Sequence, residues 1–499
     1  MNARTLALLG TGSDVGKSIV TTAICRIFRR RGLSVAPFKA QNMSNNSHVT
    51  LDGGEMGRAQ VVQAEACGIE PHTDMNPVLL KPNTDTGSQV VLQGRAIGNA
   101  RAAEYFSDTS RIRVPAFESL ARLRKNHDLV VIEGAGSCAE VNLRSRDYVN
   151  FETARAADAP VVIVADIDRG GVFAQLIGTL EVLPPADRER VVGFIINKFR
   201  GDAALFDDGI RFIEERTGLP VLGLIPMFRD IEIDPEDGMP LDTVIDPGTP
   251  PQPGRINFGC IRLPHISNFT DFNPLIRHPS VCFHYLAKPR PLRGYDLLFL
   301  PGTKNTRFDL KWLRDTGWDA RIRDFAGNGG RVFGVCGGYQ MLGGAVHDPD
   351  GVEGEPGSTP GLGMLEGETI LGKDKTLTRA RGWLAGTDTR VDGYEIHMGC
   401  TTRPDGTAPF AWLETRNREV VSESDGAVSA DGRVCGSYLH GLFDAAAFRN
   451  HFLRTFDPAC GVDDPEQAAG FKQRQYDLLA DHFEEHLDVE FLAGCLGIR

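Results

Sequence analysis

Residues 331–342, Arg331-Val332-Phe333-Gly334-Val335-Cys336-Gly337-Gly338-Tyr339-Gln340-Met341-Leu342, place one cysteine between a short apolar run and a segment of helical character. The apolar run predicts a buried strand, and the segment after Gly338 predicts a helix. A nucleophile on such a strand-to-helix turn points outward, and the neighbouring glycines relieve crowding around it. The helix N-terminus favours the reactive thiolate. A buried structural cysteine is the alternative, but the Gly-x-Cys-Gly-Gly setting favours Cys336 as a nucleophile.

The composition indicates an ordinary globular chain that is too long for a single core. Its 499 residues predict two or three domains, and 41% hydrophobic and 24% charged residues are typical of soluble proteins. The formal net charge of −12 disfavours nucleic acid as a partner. No apolar stretch is long enough to span a bilayer, and the N-terminus lacks the cleavage region of a signal peptide. We therefore expect no membrane partner.

The ten cysteines are scattered along the chain. They form no Cys-x-x-Cys pair and no Cys/His cluster at zinc spacing, which argues against a structural metal. Free thiols are typical of a reducing compartment, and we therefore expect a cytoplasmic protein.

The first half of the chain repeats one theme: an apolar or β-branched run, then a polar or glycine-rich turn, then a helical pattern. Such alternation predicts an α/β fold with a parallel sheet covered by helices. Ligands of these folds bind at the carboxyl ends of the strands. The predicted strands are Thr5–Leu9, Val35–Phe38, Leu129–Glu133, Val161–Asp166, Val191–Asn197 and Val221–Ile225.

A phosphate-binding loop follows the first predicted strand, with the sequence Gly10-Thr11-Gly12-Ser13-Asp14-Val15-Gly16-Lys17-Ser18. Backbone N–H groups of such a loop, here around Gly12 and Gly16, hold phosphates, while Lys17 reaches their oxygens and Ser18 binds Mg²⁺. The usual pattern has Gly at position 11, where this chain has Thr. That departure resembles the dethiobiotin synthetase and partition-ATPase branch of nucleotidases. The position between a strand and a helix favours nucleotide binding over a chance glycine loop.

Carboxylates end two further predicted strands of this half. Glu133 precedes a Gly-Ala-Gly turn, and Asp166 occupies an equivalent strand end. Both are candidates to coordinate Mg²⁺ with Ser18, since carboxylate and hydroxyl oxygens suit that cation. Helix capping is the alternative role for Glu133, and a salt bridge with Arg169 is the alternative for Asp166.

Five polar residues are further candidates for nucleotide or substrate contacts. Asn197 closes a strand where nucleotide bases are often bound, although a turn-stabilising role fits nearly as well. Lys39 and Asn42 belong to the amide- and hydroxyl-rich segment Lys39–Ser47, which is otherwise a solvated loop. Lys81 suits a substrate carboxylate, although most lysines are simply exposed. Asp147 is a candidate to orient substrate or Mg²⁺.

A shift in composition separates the two halves. The run Asp246–Gly254 is rich in proline and glycine and is interpreted as part of an interdomain linker. Strands are predicted again from Ile256, at Asp296–Leu300 and at Arg331–Val335, which indicates a second α/β domain. The expected organisation is a nucleotide-binding domain at 1–230, a linker at 231–254, a second domain at 255–450 and a helical tail at 451–499.

The second half also offers partners for Cys336. Cysteine catalysis needs a base that is adjacent in space, and His440 and His397 are both candidates that spacing alone does not separate. The backbone N–H groups near Gly302, Gly337 and Gly338 are candidates to stabilise an oxyanion.

The residues of this half resemble a class I glutamine amidotransferase domain, with Cys336 as nucleophile and His440 as base. Classical members carry a glutamate two residues after the histidine, where this chain has Leu442. That departure resembles the subfamily of cobyrinate and cobyric acid synthases, which is described by a Cys/His pair. Asp444 is then one candidate to orient His440.

Almost the whole chain is similar to the cobyric acid synthase family. The similarity rests on many long motifs rather than on one short pattern. These motifs are Pro37–Ser47, Met75–Pro82, Glu133–Leu143, Asp166–Ala174, Ile196–Asp202, Pro264–Phe272, Leu300–Thr306, Val335–Gly343, Gly393–Gly399 and Gly436–Asp444.

The resemblance implies a ligase of adenosylcobalamin biosynthesis. It would use ATP and glutamine to amidate the b, d, e and g side-chain carboxylates of adenosylcobyrinic acid a,c-diamide, with an N-terminal half related to dethiobiotin synthetase. One alternative is a cobyrinic acid a,c-diamide synthase, against which the Asn/Ser-rich loop at 39–47 argues. Another is a partition-type ATPase with an inactive amidotransferase module, against which Cys336 and His440 argue.

Overall fold

The computed structural model describes residues 2–82, 87–101, 109–236, 251–461 and 465–498. The α-helices of this part are α1 Lys17–Arg30, α2 Arg58–Cys67, α3 Ser110–Asn126, α4 Phe151–Ala157, α5 Val172–Val182, α6 Pro185–Arg188, α7 Asp207–Thr217, α8 Asn273–Ile276, α9 Thr306–Asp315, α10 Trp318–Gly327, α11 Gly337–Leu342, α12 Ala446–Arg454, α13 Pro465–Glu484 and α14 Val489–Cys495. Short 3-10 turns lie at Thr73–Met75, Ala203–Phe206, Phe269–Phe272 and Leu442–Asp444.

The strands divide between the two halves of the chain. Those of the first half are β1 Arg4–Gly10, β2 Val35–Phe38, β3 Gln41–Met43, β4 Ser47–Val49, β5 Glu55–Gly57, β6 Val78–Pro82, β7 Gly87–Leu92, β8 Arg95–Arg101, β9 Leu129–Glu133, β10 Val161–Asp166, β11 Val191–Phe199 and β12 Val221–Pro226. Those of the second half are β13 Ile256–Ile261, β14 Val281–Leu286, β15 Leu297–Leu300, β16 Arg331–Val335, β17 Ala345–Asp348, β18 Gly357–Pro360, β19 Glu368–Leu384, β20 Arg390–Thr402, β21 Ala411–Arg416, β22 Glu419–Asp425, β23 Ala427–Val428, β24 Val434–Ser437 and β25 Leu439–His440.

A six-stranded parallel sheet forms the core of the first half, in the order β12-β11-β10-β1-β9-β2. Each of the six strands predicted from the sequence is present, so the predicted α/β class is confirmed. Apolar runs such as Val161–Val164 are fully buried because helices cover the sheet. The register Leu8↔Glu133 and Gly10↔Val164 brings the phosphate-loop end of β1 beside the ends of β9 and β10.

The chain between β2 and β9 builds structure that the sequence did not predict. The segment Lys39–Ser47, interpreted as a polar loop, contributes the short strand β3 and the start of β4. Strands β3, β6, β7 and β8 form a small sheet, while β4 and β5 form a two-stranded ribbon. This part of the first half lies against the second half, since Ser47 N donates to Asn268 Oδ1 at 3.1 Å.

The second half contains a mostly parallel sheet and a mostly antiparallel sheet, in which β17 and β19 pair in parallel. The first has the order β14-β13-β15-β16-β24-β23, in which β23 alone is antiparallel to its neighbour. The second runs β18-β17-β19-β20-β25, with β21 and β22 added beside β19. A cluster of aromatic rings that includes Phe258, Phe299 and Phe333 fills the core between the parallel sheet and the helix α12.

The tail that follows the second half returns to the first. Leu479 and Phe483 of α13 are fully buried in the same core as β1 and α1. On the surface of this contact, Arg26 of α1 donates to Asp477 Oδ1 at 2.8 Å. Residues 237–250 of the predicted linker lie outside the described residues. Within the part of the chain that is described, no helix has the length and apolar character to cross a membrane.

Candidate active sites

Cys336 occupies the turn between β16 and α11. Its backbone adopts φ 51° and ψ −109°, a strained conformation for a residue with a side chain, as expected of a nucleophile held outward on a tight turn. The packing requires glycine at position 338, because a Cβ on Gly338 would lie 1.9 Å from the carbonyl oxygen of Leu300. The side chain is 5% exposed and faces a cavity rather than bulk solvent.

His440 is held by a carboxylate from a distant segment. Its Nδ1 lies 2.6 Å from Oδ2 of Asp271, and the backbone N–H of Gly441 donates to Oδ1 of the same residue at 2.9 Å. A carboxylate only accepts hydrogen bonds, so the Nδ1 proton points at Asp271 and Nε2 is left for another partner. Burial alone would lower the pKa of His440, but Asp271, followed by a contact with Cys336, raises it to about 10.

The two other candidates around this base have different surroundings. His397 stacks on the ring of Tyr438 with centroids 3.9 Å apart, and its Nδ1 lies 2.6 Å from the carbonyl oxygen of Gly399. It also lines the cavity, but the described contacts bring Cys336 to His440. Asp444 is exposed at the surface, and the carboxylate that contacts His440 is Asp271, in the place for which Asp444 was a candidate.

Backbone donors lie near the sulfur at two strand ends. Gly337 and Gly338 begin α11, where the N–H groups of a helix have no intrahelical acceptor. Gly302 follows β15, and its carbonyl accepts from the N–H of Ser267 at 2.8 Å. A Cβ on Gly302 would lie 2.9 Å from Cε1 of His440, so the close approach of this strand end requires glycine.

The cavity at Cys336 is closed by both halves of the chain. Most of its lining comes from the second half, including His440 and Gln340. Lys81 of β6, from the first half, contributes to the same lining. The thiol therefore faces the seam between the halves.

The phosphate loop is held in shape by its own residues and by β11. Lys17 Nζ donates to the carbonyl oxygens of Gly12 at 2.8 Å and Gly136 at 2.9 Å, which keeps the ammonium over the loop. Burial and then the neighbouring Lys39 lower the pKa of Lys17. Asn197 donates to the carbonyl of Val15 at 3.0 Å, so in this structure it braces the loop.

A polar cluster occupies the end of β9 beside the loop. Ser18 Oγ lies 2.7 Å from Glu133 Oε1 and 2.9 Å from Glu236 Oε2, and its single proton is donated to one of them at a time. The ammonium of Lys39 lies 2.9 Å from Glu133 and 2.8 Å from Glu236. Burial alone would lower the pKa of Lys39, but Glu133 and Glu236 raise it. Gln63 completes the cluster by donating to Glu133 Oε2 at 2.6 Å.

The donor set of this cluster fits Mg²⁺, since a hydroxyl and two carboxylates present oxygen atoms around one point. The buried ammonium of Lys39 already shows that the point attracts a cation. Asp166 stands apart, because its Oδ2 pairs with Lys198 at 2.8 Å and its Oδ1 accepts from the N–H of Asp168. Across the described ranges, no cluster of three or more His, Cys, Asp or Glu side chains has metal-binding geometry.

The remaining substrate-side candidates are engaged with protein groups. Asn42 donates to Gln60 Oε1 at 2.9 Å. Lys81 is buried against Glu55, with Nζ and Oε1 2.6 Å apart. Asp147 accepts from the backbone N–H of Val149 at 2.9 Å and so shapes the loop after β9.

Sequence reasoning missed three carboxylates of these sites. Asp271 lies within the motif Pro264–Phe272, and Glu236 and Glu55 lie in segments without a recognisable pattern. For Asp271 the motif itself was a signal, although nothing local links it to His440. Glu236 and Glu55 meet their partners through the tertiary fold alone.

Comparisons with known proteins match both halves of the chain. A model of the CobB/CobQ-like glutamine amidotransferase domain matches residues 257–448, and a model of the CobQ/CobB/MinD/ParA nucleotide binding domain matches residues 6–241. Three relatives named cobyric acid synthase align over nearly the whole chain. They come from Chlorobium chlorochromatii (56% identity, 98% of this chain and 96% of the relative), Chlorobaculum tepidum (56%, 99% and 98%) and Cereibacter sphaeroides (50%, 98% and 98%).

These alignments extend over 98–99% of the chain. Both domain models also match the halves in which the phosphate loop and Cys336 lie. The chain therefore belongs to the cobyric acid synthase family, the glutamine-hydrolysing ligases whose name its relatives carry.

Proposed function

We propose that this protein uses ATP and the amide nitrogen of glutamine to amidate the b, d, e and g carboxylates of adenosylcobyrinic acid a,c-diamide. The observation that carries the proposal is the pairing, in one chain of this family, of a phosphate loop with a thiol site that faces the seam between the halves. A carboxylate is a poor acceptor for ammonia because its oxygen is a poor leaving group. The two sites divide the chemistry that overcomes this.

The thiol site would supply ammonia. Cys336 attacks the amide carbon of glutamine, and His440, protonated at neutral pH by virtue of its raised pKa of about 10, gives a proton to the departing nitrogen. The N–H groups at Gly337 and Gly338, with the strand end at Gly302, support the negative oxygen of the tetrahedral intermediate. Water then hydrolyses the glutamyl thioester, which releases glutamate and regenerates the thiol.

Asp271 is the positioning residue of this site. Its carboxylate fixes the Nδ1–H tautomer of His440 and balances the imidazolium charge. This supports a three-residue arrangement in which the acid comes from a segment other than the one that carries the histidine. The carboxylate nearest to His397 is more distant, since Nε2 of His397 lies 3.6 Å from Oε1 of Glu395.

The phosphate loop would activate the acceptor carboxylate. One oxygen of that carboxylate attacks the γ-phosphorus of ATP, which gives an acyl phosphate and ADP, and ammonia then displaces phosphate at the acyl carbon. Lys17 and the loop N–H groups stabilise the charge on the transferring phosphoryl group. Mg²⁺, which Ser18 and Glu133 would hold together with Glu236, would neutralise phosphate charge when bound. Asp166 is then a more distant candidate, since it is paired with Lys198.

Lys39 would respond to that cation. Its ammonium occupies the same pair of carboxylates, so it has to move or give up one contact when Mg²⁺ binds. We also propose a reducing, cytoplasmic setting for the protein, because the chemistry requires Cys336 as a free thiol. All ten cysteines, including Cys336, are unpaired.

Two measurements test the proposal. In the first, Cys336→Ser should abolish glutamine-dependent amidation and leave ammonia-dependent amidation at the wild-type rate, because the second reaction bypasses the thiol. Loss of both activities would contradict the division of labour. In the second, mass spectrometry of the corrinoid product should show four new amides on the a,c-diamide. A product that stops at two amides from cobyrinic acid would instead indicate a cobyrinic acid a,c-diamide synthase.

A further inference from the structure

Three lysine side chains lie at the seam between the two halves, and two of them contact one carboxylate. We call Lys81, Lys304, Lys375 and Glu55 the seam cluster. Glu55 Oε1 accepts from Lys81 Nζ at 2.6 Å, and its Oε2 accepts from Lys375. Lys304 Nζ donates to the side-chain oxygen of Gln89 at 3.2 Å. Glu55, Lys81 and Gln89 belong to the first half, whereas Lys304 and Lys375 belong to the second.

The charges of the seam cluster do not balance. Burial alone would raise the pKa of Glu55, but Lys375 and Lys81 lower it, so this carboxylate is ionised. Burial lowers the pKa of Lys304 to about 8, which still leaves it protonated at neutral pH. Its hydrogen-bond partner is the neutral amide of Gln89. A buried ammonium is costly without a counter-ion, so the cluster favours an anionic group beside Lys304.

The seam cluster lines the same cavity as the catalytic thiol. Lys81, Lys304 and Lys375 all contribute to the wall that also contains Cys336. Glu353 belongs to that wall as well, and its Oε2 accepts from the N–H of Arg307 at 3.1 Å. Burial raises the pKa of Glu353, so an ammonium group placed beside it would stabilise its ionised form. The cavity therefore contains a cationic side chain, Lys304, and an acidic one, Glu353, in addition to the thiol of Cys336.

An α-amino acid carries both complementary charges at one end. If the amide of glutamine is at Cys336, its α-carbon with the carboxylate and the ammonium lies at the other end of the side chain. We propose that Lys304 binds the α-carboxylate of the glutamine substrate and Glu353 its α-ammonium, and that Glu55 and Lys81 of the synthetase half complete this subsite. The inference rests on the proposed glutaminase function of Cys336 and adds the residues that select the amide donor.

The contribution of the synthetase half follows from the contacts. Glu55 holds Lys375 and Lys81, and Gln89 holds both Lys304 and Lys375, the latter at 3.1 Å. Ser47 Oγ donates at 2.8 Å to Oε1 of Glu55, the oxygen that Lys81 also contacts. The amino-acid end of the cavity is therefore complete only when the first half is docked, which ties binding of the amide donor to the assembled enzyme.

Substrate analogues test the two charge contacts separately in the full-length enzyme. Glutaramate lacks the α-ammonium and 4-aminobutanamide lacks the α-carboxylate, while both keep the amide. For the wild type, kcat/KM should fall roughly 10- to 100-fold with each analogue, the size of a lost charged hydrogen bond. Lys304→Met should lower kcat/KM for glutamine by a similar factor and should no longer distinguish glutamine from 4-aminobutanamide. Glu353→Gln should lose discrimination against glutaramate instead.

The first half is tested by Lys81→Met, which should raise KM for glutamine several-fold with kcat unchanged. The matched control is Lys373→Met, since Lys373 lies on the same strand as Lys375 but is exposed and paired with Asp350 at 3.4 Å. Ammonia-dependent amidation at the wild-type rate in Lys304→Met and Glu353→Gln would show that these chains are folded, and an unchanged melting temperature would show it for Lys81→Met. If Lys304→Met discriminates between the analogues as well as the wild type does, the subsite is wrong. A wild type that does not hydrolyse glutamine would instead contradict the proposed function.

Discussion

Asp271 and His440 lie 169 positions apart in the chain, yet they form the shortest polar contact described for the imidazole. The usual glutamate two residues after the histidine is replaced by Leu442, which is buried in the apolar core. The carboxylate at His440 comes instead from Asp271 in the turn Phe269–Phe272, and it also accepts a hydrogen bond from the N–H of Gly441. The two carboxylate oxygens of Asp271 therefore hold His440 and Gly441, and in this way Asp271 orients the imidazole.

Asp271→Asn tests this role. The amide cannot balance an imidazolium and presents the wrong hydrogen-bond polarity to one tautomer, so glutamine hydrolysis should fall by about 10²- to 10⁴-fold in kcat. Ammonia-dependent amidation should be unchanged, and Asp444→Asn is the control because it makes the same change at a nearby exposed carboxyl whose described interactions do not include the imidazole. Equal losses in the two variants would contradict the assignment.

The pH dependence of stability gives a second test at this residue. The folded-state pKa of His440, about 10, lies above the ordinary value of 6.5, so the stabilisation is fully present below about pH 6.5 and is lost as pH rises through 10. The free energy of unfolding of the wild type should therefore exceed that of Asp271→Asn most at pH 6.5, with the difference shrinking towards pH 10. Tryptophan fluorescence reports this half, since all four tryptophans lie between residues 312 and 412. A difference that stays constant with pH would argue against the raised pKa.

At the level of elements, two strand-to-helix turns hold the residues that are proposed to bind ATP and to attack glutamine. The first joins β1 to α1 and holds the phosphate loop, and the second joins β16 to α11 and holds Cys336. Each contains a residue with positive φ at the start of the helix, Gly16 at 94° and Cys336 at 51°. In the phosphate-loop turn, Gly16 adopts a positive φ without strain. In the other turn, Cys336, the proposed nucleophile, retains the strain.

Gly16→Ala should separate the two activities. A Cβ there would lie 2.1 Å from Nδ2 of Asn197, so the loop or the β11 end has to shift in addition to the positive-φ strain. A displacement of this kind costs about 100-fold in rate at a phosphoryl-transfer site, so ATP-dependent amidation should fall by that order. Glutamine hydrolysis should be far less affected.

Gly171→Ala is the matched control for that experiment. Gly171 also precedes a helix with positive φ, at 76°, but a Cβ there meets nothing within 4 Å. It therefore carries the backbone strain without the clash. Equal loss of amidation in the two variants would assign the effect to strain alone.

At the level of the whole molecule, the helices α13 and α14 pack against the first half of the chain. Helix α13 crosses back from the amidotransferase half and packs Leu479 and Phe483 into the core of the nucleotide-binding half. Arg26 and Arg30 of α1 form ion pairs with Asp477 and Asp481 at the edge of this contact. The chain order therefore differs from the spatial order, since the last helices stabilise the first domain.

Phe483→Ala tests this arrangement. Removing a fully buried ring should lower the free energy of unfolding of the nucleotide-binding half by about 3–5 kcal/mol, which hydrogen exchange of β1 and α1 would report. Leu478→Ala is the control, since Leu478 is 46% exposed and its loss should change stability by less than about 0.5 kcal/mol. Equal effects of the two substitutions would show that the tail is a surface appendage.

Local patterns were sufficient for the parallel sheet of the first half. The strands Val35–Phe38, Leu129–Glu133 and Val161–Asp166 have the predicted bounds, because runs of apolar residues between turn signals have few alternatives to a buried strand. The same holds for Arg331–Val335. The small sheet built from β3, β6, β7 and β8 was not predicted, because strand β3 lies in a polar segment without apolar periodicity and pairs with β6, more than 30 residues further along the chain.

The residues with a local signal are those that the sequence by itself determined: Cys336 on its glycine-flanked turn, Lys17 and Ser18 on the phosphate loop, and Glu133 at its strand end. Tertiary structure alone decided their partners. Asp271 at His440, Glu236 at Ser18 and Glu55 among the seam lysines are all brought in from distant segments. The physical reason is that a turn or a strand end is set by neighbours in the chain, whereas the charge that completes a buried site has to be matched in space and can come from any segment that the fold places there.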